Sequence, residues 1–390
     1  MPRILAALLL LAAAPAAAAD FLSSETLEVV KVAGPLSADP TAPYWETAPV
    51  VAVLAAPQHT IRLNDRQANQ ALETATLRTI QVRAATDGTD LAVLLEWHDA
   101  TESRATADGV DVYGDAAAVQ FPRTFGAGTR LPYVGMGDEG QEVLLYLQRA
   151  GPDGPVARQG VAHGFGSSSR ADLGGVRGGM RYDGVGKSWR VVFQRPISAA
   201  GHDLARALVP FSVAVWDGAA HERGGNKALA GWKFLRMPGT ASDPAYQVEM
   251  SWGHRSGDLG DPRRGRELFE GMCTACHSLG AEKAVPGLAP DLTGIGVVAT
   301  PGYLRDSILA PSTVVVPNPN LALRQDRSAK PDARGAYPPD EAYTWYTRGA
   351  DGKKISTMPD YASMEPGDLV AIVAYLATLG REAPPEGRKP

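Results

Sequence analysis

One pentapeptide carries the strongest structural signal in this chain: Cys273-Thr274-Ala275-Cys276-His277. It is a CxxCH run, and its spacing has a geometric reason. On a helix, Cys273 and Cys276 lie on one face, where each thiol can form a thioether to a vinyl group of a porphyrin. His277 then projects under the ring as the proximal iron ligand. The run therefore predicts one covalently attached haem c.

The alternatives for the same run are a surface redox pair or half of a zinc site. The chain contains only 2 cysteines, and a zinc site would need two further soft ligands at suitable spacing. No cysteine and no pair of histidines supplies them. The haem interpretation is favoured, and it leaves no thiol for a disulfide.

Helical periodicity surrounds the CxxCH run. Asp261 is a predicted N-cap with Pro262 at the first helical position, and a helix is predicted over 263–275, leading into the haem site. A second helix is predicted over 367–379, with Gly380 as its stop. The part of the chain after residue 256 is therefore predicted to be all-α.

This C-terminal part resembles class I cytochrome c. The resemblance rests on the CxxCH helix, on Gly265 and Phe269 in the first helix, on Tyr375 in the last, and on Met358-Pro359-Asp360-Tyr361. In that family the first and last helices cross at a small–aromatic contact, and the methionine of a Met-Pro motif closes the other haem face. The resemblance implies Met358 as the sixth ligand, where a thioether raises the potential. Met364 is the competitor.

The sequence departs from compact members of that family in a long loop insertion at 311–346, rich in Pro, Asn and Tyr. Loops of this length are usually functional or disordered. We expect the insertion to cover the haem edge or to dock a partner. An insertion without function is the alternative.

The N-terminus has the pattern of an export signal. Arg3 precedes an apolar run at 4–14, and small residues at 16–19 form an A-x-A-like site, which predicts a signal peptide at 1–19 cleaved after Ala19. A membrane anchor is the alternative, but the run is shorter than the ~20 residues that a span needs. We therefore expect a periplasmic protein without a membrane span.

Length and composition bound the remaining choices. A chain of 390 residues with a formal net charge of −5 is too long for one cytochrome domain and gives no argument for a nucleic-acid partner. Short β-type runs, such as 91–97 and 211–216, alternate with turn pairs across 27–252. This pattern predicts an antiparallel β-sandwich. We expect a β domain at 20–255 and a cytochrome c domain at 256–385.

The β-rich part carries a second series of motifs, in this order: Glu96-Trp97-His98-Asp99, Asp115-Ala116-Ala117-Ala118-Val119-Gln120-Phe121-Pro122, Pro132-Tyr133-Val134-Gly135-Met136-Gly137, Val213-Ala214-Val215-Trp216-Asp217-Gly218 and Glu222-Arg223-Gly224-Gly225-Asn226-Lys227-Ala228. The series resembles the haem b (gamma) subunit of ethylbenzene dehydrogenase and its relatives. Those proteins serve periplasmic molybdenum enzymes of the dimethyl sulfoxide reductase family. The resemblance covers roughly residues 27–252.

In that family a β-sandwich holds a non-covalent haem b through one methionine and one lysine, and the matching residues are Met136 and Lys227. Glycines on both sides of Met136 let the backbone bring its sulfur close to a flat ring. Lys227 must lose its proton to bind iron, so its surroundings must favour the neutral amine. The fallback ligands are Lys233, His98, His163 and His221.

The two resemblances imply an electron-transfer subunit with one haem b and one haem c. A molybdopterin subunit would perform the chemistry, an iron–sulfur subunit would relay electrons, and a soluble periplasmic carrier would exchange them. Nothing in the sequence indicates a substrate site, so we do not expect catalysis by this chain alone. The alternatives are a ligand-binding sandwich fused to a monohaem cytochrome c, and a self-contained haem oxidoreductase with an open site.

Overall fold

The computed structural model describes residues 26–58, 65–106, 112–126, 128–240, 260–279, 289–316 and 345–381. The predicted signal peptide at 1–19, the predicted domain boundary at 255–256 and residues 317–344 of the predicted insertion lie outside these ranges. Strands dominate the described residues up to 240, and helices dominate those from 260. Within the described ranges, none of the helices combines the length and the apolar run that crossing a bilayer requires.

In its described residues, the N-terminal part has sixteen strands and two short helices. The strands are β1 (Thr26–Glu28), β2 (Val30–Lys31), β3 (Val51–Pro57), β4 (Arg78–Thr86), β5 (Asp90–His98), β6 (Ala116–Pro122), β7 (Val143–Gly151), β8 (Gly154–Ala162), β9 (Ser169–Arg170), β10 (Arg177–Asp183), β11 (Ser188–Pro196), β12 (Ser198–Ala199), β13 (His202–Asp203), β14 (Leu208–Trp216), β15 (Ala228–Ala230) and β16 (Lys233–Arg236). The helices are α1 (Tyr44–Thr47) and α2 (Arg66–Thr74).

One large sheet runs in the order β10-β11-β5-β4-β3-β15-β14-β6-β7-β8-β9, and along this path every neighbouring pair is antiparallel. The sheet folds over so that its two halves face each other. Val93 and Leu95 of β5 pack in the same core as Val119 and Phe121 of β6. These findings confirm the predicted antiparallel β-sandwich.

The strand β14 is buried along its whole length, because both of its faces are covered. Phe211, Val213 and Val215 point into the inner core. Ala214 and Trp216 point to the outer face, where they join a second apolar cluster. A strand that is covered on both sides need not alternate in sequence between apolar and polar residues. This outer cluster is where the second haem site is predicted.

The C-terminal part contains four helices and one hairpin within the described residues. These elements are α3 (Pro262–Met272), α4 (Ile295–Val298), α5 (Pro301–Leu309), β17 (Tyr346–Arg348), β18 (Lys354–Ser356) and α6 (Pro366–Thr378). The helix predicted at 367–379 is α6, displaced by one residue at each end. The mainly helical character confirms the predicted fold class of this part.

The first and last helices, α3 and α6, cross at the contact that the resemblance implied. A Cβ atom added at Gly265 would lie 1.9 Å from the backbone oxygen of Ala371, so only glycine allows this approach. The rings of Phe269 and Tyr375 lie beside the crossing with their centres 5.6 Å apart. The small–aromatic crossing is therefore confirmed.

The prediction that α3 continues to residue 275 is wrong. The helix ends at Met272, and Cys273 is its C-cap. The chain then forms a tight turn, in which the N–H groups of Cys276 and His277 both donate to the Cys273 carbonyl, at 3.1 and 2.9 Å. Such tightening is frequent at helix C-termini. The thiols and the imidazole of the CxxCH run are therefore presented by a turn and not by the helix itself.

The helical part contacts the sandwich mainly through α4, which packs against β3 and β15. The Gly231 N–H donates to the Val297 carbonyl at 3.1 Å, and a Cβ atom at Gly231 would lie 2.7 Å from that oxygen. Beside this contact, the rings of Tyr133 and Tyr303 have their centres 5.6 Å apart. The interface thus lies next to the outer cluster of the sandwich.

Two candidate haem sites beside one interface

A cavity of about 320 Å³ brings together the four side chains predicted for haem c: Cys273, Cys276, His277 and Met358. This volume falls in the range of small-molecule and cofactor sites, roughly 300–1,000 Å³. Most of its remaining wall is apolar and includes residues of α3, α5 and α6. The donor set of two thiols, one imidazole and one thioether fits a covalently attached haem c.

The orientation of His277 suits a metal ligand. Its Nδ1 lies 2.9 Å from the carbonyl oxygen of Pro290, and a carbonyl can only accept, so Nδ1 carries the proton. The Nε2 atom is therefore left with its lone pair for iron. Burial lowers the pKa of His277, which favours the neutral ring that ligation requires.

The two cysteines are free thiols of intermediate exposure. Burial, with Cys276 as a smaller contribution, raises the pKa of the Cys273 thiol to about 11. A thiol in these surroundings is a poor spontaneous nucleophile, because the thiolate is the reactive form. Thioether formation at Cys273 is therefore expected to need assistance.

Two methionines were candidates for the sixth ligand, and their positions differ. Met358 lines the cavity, and its N–H donates to the Ser356 hydroxyl at 3.1 Å, just after β18. Met364 packs against the same apolar core but is not among the residues that line the cavity. The geometry favours Met358.

The predicted insertion at 311–346 begins and ends at this cavity. Pro311, Val316 and Trp345 all contribute to its wall, and the Trp345 indole N–H donates to the Val316 carbonyl at 2.7 Å. This bond ties the two described ends of the insertion together. The described ends of the insertion therefore lie at the cavity. That the insertion covers the haem edge or docks a partner stays a prediction.

The outer face of the sandwich offers a floor for a flat ring. Ala116 and Ala118 of β6 and Ala214 of β14 lie in one cluster with larger residues around them. Several large apolar residues at this cluster are only partly buried, which is typical of an incomplete apolar site: Leu131, Met136, Leu145 and Leu147.

Met136 reaches this cluster from the loop between β6 and β7, and its backbone is strained. Its φ is +75°, a conformation that costs a non-glycine residue about 1–3 kcal/mol. The Gly164 N–H holds it by donating to the Met136 carbonyl at 2.9 Å. A Cβ atom at Gly135 would lie 2.4 Å from the Tyr133 ring, and one at Gly137 would lie 2.7 Å from the Gln141 oxygen. Strain of this kind clusters at functional positions.

Lys227 is also buried, with 4% of its surface exposed. Its Nζ lies 5.4 Å from the centre of the Trp216 ring, and Trp216 is a cluster member. Within the described residues, no hydrogen bond or ion pair reaches this amine. Burial alone lowers the pKa of Lys227 to about 8. A buried amine without a polar partner fits an iron ligand, because ligation needs the neutral form and supplies the missing partner.

The fallback ligands have different surroundings. Lys233 is also buried, and burial, with Arg381 as a smaller contribution, lowers its pKa to about 7. His98 and His163 are exposed, and the ring of His221 packs against that of Tyr113 with centres 5.8 Å apart.

Sequence reasoning missed the part that the sandwich plays in the cavity of the CxxCH run. Five sandwich residues line that cavity: Ala56, Pro57, Gln58, Tyr133 and Leu229. In the other direction, Val298 of α4 packs against the outer cluster that Met136 borders. Tyr133 lies in the motif that contains Met136. This motif was the one sequence signal that could have predicted a contribution of the sandwich to the cavity.

Comparisons with known proteins agree with this architecture. Over 234 residues, the chain is 32% identical to the chlorate reductase subunit gamma of Ideonella dechloratans, covering 90% of that protein and 58% of this chain. The family model described as ethylbenzene dehydrogenase matches residues 42–180. The chain belongs to the ethylbenzene dehydrogenase haem-subunit family. In this member, the family domain is followed by a match to cytochrome c over residues 262–380.

A second relative is a putative respiratory nitrate reductase heme subunit of Haloferax mediterranei, 27% identical over 214 residues, which are 53% of this chain and 71% of that protein. Among solved structures, the match to a family 9 carbohydrate binding module from Caldicellulosiruptor kristjanssonii covers 56% of this chain and 98% of the module. Its TM-score is 0.35 at 10% identity, a likeness too weak to bear on ligands.

Proposed function

We propose that this family member is an electron-transfer subunit that holds one haem c and one haem b. The observation that carries the proposal is the arrangement of two donor sets beside one interface. The cavity of the CxxCH run is closed partly by the sandwich. The cluster that Met136 borders includes Val298 of the helical part. Val298 of α4 also lines the cavity of the CxxCH run, so both candidate sites border this helix.

His277 and Met358 would hold the iron of haem c, and Met136 and Lys227 would hold the iron of haem b. When bound, a haem with both axial positions filled by protein exchanges single electrons without binding a substrate. The chain's own residues hold these ligands in place through the Pro290 carbonyl and the turn around Met136. The apolar walls exclude water. This arrangement supports electron transfer over catalysis by the chain itself.

The partners follow from the two relatives, which are named as subunits of chlorate and nitrate reductases. We propose that this chain assembles with a molybdopterin catalytic subunit and an iron–sulfur subunit, and that a soluble carrier exchanges electrons with haem c. Fusion of both haem sites in one chain keeps haem c at a high effective concentration beside haem b. A second diffusional encounter is then unnecessary.

We also propose that the chain is exported to the periplasm. The support is the signal-like pattern at 1–19, which lies outside the described residues, and the need of a CxxCH run for covalent haem attachment. Mass spectrometry of the mature N-terminus would test the cleavage after Ala19.

The haem content of the purified full-length chain tests the proposal directly. Acid–acetone extraction followed by pyridine haemochrome spectra should give one extractable b-type haem and one retained c-type haem per chain. A c-type haem alone, in protein made with ample haem, would contradict the Met136–Lys227 site and favour a ligand-binding sandwich. A high-spin resting spectrum that changes with carbon monoxide would instead indicate an open haem site.

The identity of the sixth ligand of haem c is tested by a matched pair of methionine variants. Met358→His should lower the midpoint potential of haem c on the order of 0.1 V, because exchanging a thioether for an imidazole favours Fe(III). Met364→His should leave the potential unchanged. Potentiometric titration at the c-type absorbance band measures both. A shift in the second variant alone would mean that Met364 is the ligand.

A further inference from the structure

Gln58 is a buried polar residue whose side chain lacks a partner. It directly follows β3 and is 6% exposed. In the part of the chain that the structure describes, neither its Nε2 nor its Oε1 has a hydrogen-bond partner. Buried amides are rarely left without any partner, and each exception needs a physical explanation. Gln58 lines the cavity of the CxxCH run, although it belongs to the sandwich.

The backbone fixes where this side chain emerges. The Gln58 N–H donates to the Lys227 carbonyl at 2.9 Å, which extends the β3–β15 pairing by one bond beyond the Pro57–Ala228 register pair. Gln58 is therefore anchored on two strands, beside the proposed lysine ligand of haem b. A side chain held at a ladder position cannot easily turn away from the cavity.

The surroundings of Gln58 limit what its amide can bind. The nearby sandwich residues in the cavity wall are apolar: Ala56, Pro57 and Leu229. A haem is apolar over most of its surface, and its polar peripheral groups are carboxylates. A primary amide has two N–H donors that suit a carboxylate oxygen.

We propose that the Gln58 side chain donates a hydrogen bond across the domain interface to a carboxylate of haem c. The inference rests on the proposed function in one respect, namely that haem c occupies this cavity. It makes the sandwich part of the haem c site and not only the holder of haem b. Gln58 would then act on the iron through the haem carboxylate, as a positioning residue. Loss of the donor leaves more negative charge beside the iron, which favours Fe(III).

The test uses the full-length holoprotein with Gln58→Met, which keeps the shape and removes the donor. At a fixed applied potential, the Fe(III)/Fe(II) ratio of haem c should rise about threefold. Gln58→Glu should raise the ratio further, because it adds a negative charge. Redox-difference infrared spectra should show a shifted haem carboxylate band in both variants, which a purely structural role would not produce.

Gln148→Met is the matched control. Gln148 is a buried glutamine of β7, 2% exposed, whose Nε2 donates to the Val192 carbonyl and which is not among the residues lining the cavity. An unchanged Fe(III)/Fe(II) ratio and an unchanged carboxylate band in both Gln58 variants, with haem c at full occupancy, would overturn this inference. The proposed function would still stand. Should Gln58→Met not fold, the Gln58→Glu spectra decide in the same way. Absence of haem c from the unmodified chain would overturn the proposed function as well.

Discussion

Replacing Cys273 and Cys276 together with serine is expected to abolish covalent haem and to destabilise the helical part of the chain. Serine cannot form a thioether, so His277 and Met358 would have to hold the group alone. The cavity borders the core that includes Phe269, and an emptied cavity removes packing contacts from that core. Loss of a metal group is among the few changes that cost more than about 4 kcal/mol. Haem staining of a denaturing gel and thermal unfolding measure the two effects.

Thr274→Val is the control for this experiment. Thr274 lies between the two cysteines, and its hydroxyl donates to the Glu270 carbonyl at 2.9 Å on the exposed side. The variant changes the pentapeptide but keeps both thiols and the imidazole, so it should keep covalent haem. Haem that survives denaturation in the double serine variant would contradict the assignment.

Replacing Lys227 with leucine is expected to remove haem b and to leave haem c in place. The variant deletes the proposed nitrogen ligand, and we expect haem b to bind at least about 100-fold more weakly. Extractable haem should fall to a trace, while the covalent haem stays at one per chain. Pyridine haemochrome spectra before and after extraction measure both quantities in one sample.

The stability of the same variant separates ligand loss from misfolding. The pKa of Lys227 is lowered from 10.5 to about 8 in the folded chain, which corresponds to a cost of about 3 kcal/mol for the charged amine. Because the folded pKa is the lower one, this cost is fully present below pH 8 and disappears as the pH rises towards 10.5. Leucine removes the cost, so the haem-free variant should be no less stable than the haem-free parent.

Lys233→Leu is the matched control, since Lys233 is the other buried lysine, 8% exposed against 4% for Lys227. It should retain both haems. Loss of haem b in this variant, with retention in Lys227→Leu, would move the ligand to Lys233. Equal loss of haem b in both variants would indicate that the sandwich tolerates neither change. Loss of an iron ligand would then not explain the loss of haem b.

Local spacing was enough to propose the haem c attachment residues and to predict the helices around them. The thiols at Cys273 and Cys276 and the imidazole at His277 are neighbours in the chain, so their relative positions follow from local backbone geometry whatever the rest of the fold does. The error in the predicted end of α3 has little effect on this prediction. A helix and a tight turn both keep residues three and four positions apart close together. The β-sandwich was predictable for a similar reason, since Asp-Gly turn pairs separate several neighbouring strands, such as β4 from β5 and β10 from β11.

The local spacing of residue types could not predict how deeply a side chain is buried. Lys227 and Lys233 are both buried amines, yet lysines are usually exposed, and no pattern around them predicts burial. Their environment depends on which strands pair and on the loop that folds over β14. Met136 and Lys227 were predicted only through a family resemblance. The tertiary packing places Met136 against the outer apolar cluster and Lys227 beside Trp216, a member of that cluster.

The sequence alone therefore determined the chemistry available to this chain: one CxxCH run, a Met-Pro motif, and a methionine and a lysine in family motifs. The tertiary structure alone decided that α4 brings the two candidate haem sites to one interface, and that Gln58 of the sandwich enters the cavity of the CxxCH run. The physical reason is that such contacts join residues far apart in the chain, from 66 positions for Gly231 and Val297 to 215 for Gln58 and Cys273. They arise from buried area and backbone pairing over the whole fold, which no short window of sequence encodes.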